Sequence, residues 1–126
     1  MTDIERLTGT WKLTACAIRF PDGTIYRPYG TAPIGVILYT PERWMSCHMA
    51  FGGEGTIGSS YSSYHGPFTI DEAAKVVTHH VIGAFDPAMA NTDQPRAYTF
   101  DGNTLVLSAG IEERIVEVTW TRHPDV

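Results

Sequence analysis

Gly9-Thr10-Trp11 stands behind a short polar start and at the head of an alternating strand, and it constrains the fold more than any other segment. A glycine two residues before an indole lets the chain turn tightly into a barrel, and a large ring at that point plugs one end as a floor. From Trp11 onward, Trp11, Leu13, Ala15 and Ala17 alternate with Lys12, Thr14, Cys16 and Ile18. That period of two, ending at Pro21-Asp22-Gly23, marks a half-buried strand. Ahead of it, Asp3 to Thr8 forms one helical turn capped by Thr2 or Asp3.

Seven further runs follow. Ile34 to Thr40 closes at Pro41-Glu42, and Trp44 to Phe51 pairs back on it. Gly52 to Ser63, rich in glycine and serine, reads as a loop or lid. Tyr64 to Ile70, Val76 to Ile82, Arg96 to Phe100, Thr104 to Ser108 and Arg114 to Arg122 supply five more strands. They are separated by Asp71-Glu72, a Pro87 to Pro95 loop, Asp101-Gly102-Asn103 and Ala109-Gly110. Eight strands at this spacing, with no helical segment long enough for a crossover, predict an all-β, eight-stranded up-and-down antiparallel barrel with a short N-terminal helical turn.

A chain of 126 residues suits one domain spanning 1–126. Its net charge of -5, with nine scattered Lys and Arg, argues against a nucleic-acid or anionic-membrane partner and leaves a small molecule as the default. Charges in Met1 to Arg6 occupy the place of a secretory signal's apolar run, and no stretch has the length of a membrane span, so the expectation is a cytoplasmic protein. Strand alternation puts Cys16 and Cys47 on opposite faces of the wall, as two free thiols.

Leu7-Thr8-Gly9-Thr10-Trp11 resembles the strand-A Gly-x-Trp signature of the lipocalin superfamily. Later segments are similar, in order and spacing, to the compact bacterial and fungal lipocalin-like domains. They are Gly35-x-Ile37-x-Tyr39-Thr40, Trp44-Met45-Ser46, Tyr64-x-Gly66-x-Phe68, Val77-Thr78-His79-His80-Val81, Thr92-Asp93-Gln94 leading into Arg96, Asp101-Gly102-x-x-Leu105 and Val118-x-Trp120. The resemblance covers nearly the whole chain. It implies a barrel with a cup, used among relatives to carry ligands or to guide cyclisation and isomerisation in secondary metabolism. It carries over no catalytic residue by motif.

Taking Trp11 as inward fixes the parity of the wall. Ala15 and Ala17 then face in and leave room, with Arg19 near the mouth. Gly35, Ile37 and Tyr39 face in from the next strand, and Met45, Cys47 and Met49 from the one after. Tyr64, Gly66, Phe68 and Ile70 follow, then Val77, His79 and Val81, with His48, His65 and His80 outward. Arg96, Tyr98 and Phe100, then Leu105 and Leu107, then Arg114, Val116, Val118 and Trp120 complete the lining. The interior is thus apolar at the Trp11 and Trp120 end and polar at Tyr39, Tyr64, His79, Arg96 and Tyr98. Ile18, Phe20 and Trp44, on the outer parity, offer a surface on which a homodimer could form.

No inward Asp or Glu faces Arg96, so a ligand carboxylate, phenolate or enolate held with tyrosine hydroxyls would complete it. The apolar body of that ligand would lie against Met45, Met49, Phe68 and Phe100, with Tyr39, Tyr98 and Arg19 as further contacts. Arg114 or Arg122 instead suits stacking on the floor tryptophan, as the closing arginine of lipocalins does. His79, Arg96 and Tyr64 are the candidate catalytic set. His79 would move a proton while Arg96 and a tyrosine hold an enolate, although an inward histidine also serves as a hydrogen-bonded core residue. Adjacent His79 and His80 point to opposite faces and cannot share an ion, so no metal site is expected, and the chemistry calls for no cofactor. The serines lack a nucleophile elbow, and Gly52-Gly53-x-Gly55 lacks the strand and helix of a phosphate loop. Three functions remain open: a binder of a small, mostly hydrophobic metabolite with a polar or anionic group, a cofactor-independent isomerase, cyclase or dehydratase using the same cavity, or a filled barrel acting in structure or interaction.

Overall fold

A computed structural model describes residues 1–52 and 61–123. The first helix, α1 (Asp3–Leu7), starts on a capping box in which the Thr2 hydroxyl accepts from the Glu5 amide and the Glu5 carboxylate accepts from the Thr2 amide. Among the described residues ten strands follow: β1 (Gly9–Arg19), β2 (Ile25–Tyr26), β3 (Ile34–Tyr39), β4 (Trp44–Ala50), β5 (Tyr61–Asp71), β6 (Val76–His80), β7 (Gly83–Ala84), β8 (Asp93–Asp101), β9 (Thr104–Ile111) and β10 (Arg114–Arg122). β2 and β7 are two-residue ribbons on β1 and β5. The other eight pair antiparallel in the order β1, β3, β4, β5, β6, β8, β9, β10, and β10 returns to β1 to close the barrel. Closure leaves none of these eight as a free edge.

The floor is built around Trp11. Its indole N–H donates to the Leu7 carbonyl at 2.9 Å, and the Arg122 guanidinium lies over its ring at 4.2 Å. Arg122 also donates to the carbonyls of Thr8 and Arg6, tying β10 to the end of α1. Gly9 sits at φ 137°, a backbone conformation that side-chain-bearing residues rarely adopt, and a Cβ there would fall 2.7 Å from Nη1 of Arg122, so the glycine leaves room for the arginine. Asp3 fastens the helix from the other side by accepting from the Tyr98 hydroxyl and the Lys75 ammonium, both at 2.6 Å.

The register shift between Leu13 and Ala15 changes the expected wall. Leu13 faces Trp120 and Ala15 faces Thr119, so Thr14 is an extra residue, and its hydroxyl donates to the Thr119 carbonyl at 2.9 Å. Beyond this bulge the parity inverts. Ala15 is exposed and Ala17 turns away from the lumen, while Cys16 and Ile18 turn in. Cys16 and Cys47 are therefore not on opposite faces: both are free thiols facing the lumen. Ile18 is withdrawn from the outer surface read from the sequence, and Trp44 remains there, 41% exposed.

Other boundaries move as well. Tyr61, Ser62 and Ser63 belong to β5, and the rest of the glycine- and serine-rich loop, 53–60, lies outside the described residues. Ala109-Gly110 is not a turn. β9 runs on to Ile111, and the hairpin to β10 turns on Glu112 and Glu113, at φ 48° and 66°. A two-residue hairpin of this hand needs positive φ at both positions, which asparagine and glycine adopt far more readily than glutamate. Replacing Glu112→Asn together with Glu113→Gly should therefore stabilise the chain by about 1 kcal/mol, raising Tm by roughly 3–5 °C in thermal unfolding. An unchanged or lower Tm would contradict this turn.

Candidate functional site

Facing inward and lining a cavity prove to be different things in this barrel. Near the floor the lumen is solid: Trp11, Tyr39, Met45, Phe68, Val77 and Leu105 pack with almost no exposed surface, and Tyr39 meets Phe68 edge-on at 4.9 Å. Above them lies a cavity of about 270 Å³. Ile18, Ile37, Leu107, Val116 and Val118 give it apolar walls, and Cys16, Cys47, Met49 and Met89 add four sulfurs. Tyr64, His79, Arg96 and Trp120 supply polar groups, and Pro28, Tyr29 and Ser62 complete the upper end.

His79 on β6 is 1% exposed, and both its ring nitrogens are occupied. Tyr39 Oη lies 2.6 Å from Nε2 and Tyr64 Oη 2.8 Å from Nδ1. Burial holds the imidazole's pKa down at about 3, helped by the nearby Arg96 charge, so the ring is neutral near pH 7. Burial also pushes both tyrosine hydroxyls well up, and it keeps the thiols protonated, Cys16 at about 11 and Cys47 at about 12. The ring thus has no free nitrogen to offer a ligand. Among the described residues no cluster of three His, Cys, Asp or Glu could hold a metal.

Arg96 on β8 is half-buried. Its guanidinium donates to the Pro95 carbonyl at 2.9 Å and the Gln94 side-chain oxygen at 3.3 Å, and among the described residues it forms no ion pair. Trp120 on β10 carries the one buried side-chain polar atom without a partner among the described residues, its indole nitrogen.

Of the residues singled out from sequence, the structure brings His79, Arg96, Tyr64 and Met49 together around the cavity. Tyr39, Met45 and Phe68 face in but lie in the packed core beneath it. Tyr98 and Phe100 are drawn toward the helix, Tyr98 by Asp3 and Phe100 by the Arg6 guanidinium at 4.3 Å. Arg19 stands on the outside, 53% exposed and paired with Glu117, because the bulge reverses its strand. Arg114 lies beside Phe20 and Glu112, away from the cavity, so the floor arginine is Arg122. Sequence reasoning missed Cys16 and Ile18 through the bulge. It missed Pro28, Tyr29 and Met89 because they reach the cavity from connecting segments, and Ser62 because its strand begins earlier than the composition suggests.

A closed antiparallel barrel with a tryptophan-plugged floor and a cavity above it is an architecture suited to holding ligands. The chain belongs to the lipocalin-like domain family, whose model matches residues 8–56 and 54–122. No curated protein matches it at a significant level. No helix among the described residues is long and apolar enough to cross a membrane.

The buried imidazole also sets a pH response. Its folded pKa of about 3 lies below the ordinary value of 6.5, so as the pH falls the unfolded chain takes up the proton first. Stability from this group is complete above pH 6.5 and is lost as the pH drops toward 3, by up to about 1.4 kcal/mol per pH unit. Urea unfolding across that window should show a steeper acid loss for the wild type than for His79→Gln. Equal slopes would contradict a neutral, buried His79.

Proposed function

We propose that the chain binds a small, mostly apolar molecule in its cavity and that Arg96 holds the molecule's carboxylate or other anionic oxygen. The observation that carries this reading is a half-buried arginine on the wall of an otherwise largely apolar cavity, without a carboxylate partner among the described residues. Such a charge is costly to leave unneutralised, and a ligand anion would supply its partner together with charge-assisted hydrogen bonds. A volume of about 270 Å³ is roughly that of nine molecules of liquid water, room for a ligand of roughly a dozen non-hydrogen atoms. The same cavity weighs against a barrel filled by its own side chains.

The geometry favours holding a ligand over shuttling its protons. A proton given up by Tyr64 to a ligand would have to be replaced through His79 from Tyr39, whose burial makes a phenolate there costly. Binding is tested by calorimetric titration with naphthoate and octanoate. The expected result is one saturable site for at least one of these acids, weakened about tenfold or more in Arg96→Gln, the scale of a lost charge-assisted pair. Failure of both acids to bind, or equal binding by wild type and variant, would overturn the reading.

A further inference from the structure

The order of the protons along Tyr39, His79 and Tyr64 follows from burial. Tyr39 is 1% exposed and does not line the cavity, and among the described residues its hydroxyl has one hydrogen-bond partner, Nε2 of His79. A buried phenol hydrogen with no other acceptor points at that nitrogen, because an unmet donor would bear its whole desolvation penalty. Nε2 is then the acceptor, and in a neutral imidazole the hydrogen sits on Nδ1. Nδ1–H donates to Tyr64 Oη at 2.8 Å, which leaves the Tyr64 hydroxyl hydrogen to point elsewhere, and Tyr64 is on the cavity wall.

The Trp120 N–H is not a second contact, because it is sealed within the wall. An indole nitrogen can only donate. That of Trp11 is satisfied by the Leu7 carbonyl, whereas that of Trp120, a cavity-lining residue 1% exposed, has no partner among the described residues. We propose that Tyr39, without touching the ligand, sets the polarity of the cavity through His79, making Tyr64 a fixed donor that selects a carbonyl or carboxylate oxygen over an amine or a bare hydrocarbon. The ligand class rests on the binding function proposed above, and the proton order rests on burial alone. Tyr39 is a positioning residue, and Tyr64 is the contact.

The proton order is read without ligand, by nitrogen-15 correlation spectra of the histidine rings of the full chain. His79 is assigned after replacing His48, His65, His80 and His123 by glutamine. The expected spectrum has a protonated Nδ1 and an unprotonated Nε2, and the fixed tautomer is lost in Tyr39→Phe. A proton on Nε2 in the wild type overturns the proposal. The selection is read with acetylnaphthalene against ethylnaphthalene, neutral probes of nearly equal size that make no ion pair with Arg96. The ketone should bind about tenfold more tightly, and Tyr64→Phe and Tyr39→Phe should each reduce that preference several-fold. No preference for the ketone, or a preference untouched by both variants, also overturns it. Loss of acid binding with the tautomer and the ketone preference intact would instead count against the role given to Arg96.

Discussion

One extra residue, Thr14, decides what the interior of this protein is. The first strand must pair with β3 near the floor and with β10 along its whole length, and the bulge lets it bend between those demands. Below it, Trp11 and Leu13 are part of the packed floor, and above it Cys16 and Ile18 face the cavity where Ala15 and Ala17 would otherwise stand. The same inversion sends Arg19 outside to Glu117. Without the bulge the cavity would have a different lining and an additional cation.

The barrel divides its work by height. Toward the helix, aromatic and aliphatic side chains fill the lumen, Arg122 lies on Trp11, and Asp3 gathers Tyr98 and Lys75, so that end is a foundation. Tyr39 belongs to the foundation by burial and to the site by its hydrogen bond to His79. Through that bond the packed half of the barrel constrains the polar groups of the hollow half.

The sequence made the barrel legible because its signals are local. Gly9-Thr10-Trp11, the alternating runs and turns such as Asp101-Gly102-Asn103 each depend on a few neighbouring residues. His79, Arg96 and Tyr64 were found by parity, on strands with no register shift between them and the residues used to count. Depth was not legible. Tyr39, Met45, Phe68, Tyr98 and Phe100 share the inward parity, yet alternation gives the direction of a side chain and not its distance from the floor. Nor does Leu13-Thr14-Ala15 differ in composition from a regular strand, or Glu112-Glu113 resemble a hairpin turn, because both conformations are imposed by pairing with β10. Tyr29 and Met89 meet at the cavity only after closure has set the paths of their connecting segments.

Whether the hollow half holds a ligand by a cation and an oriented donor is decided by a crystal structure determined with naphthoate. The carboxylate should lie within about 3 Å of the Arg96 guanidinium and the Tyr64 hydroxyl, with the rings against Ile37, Leu107 and Val118. A cavity closed by repacked side chains, or an acid bound outside the barrel with Arg96 turned to solvent, would contradict it.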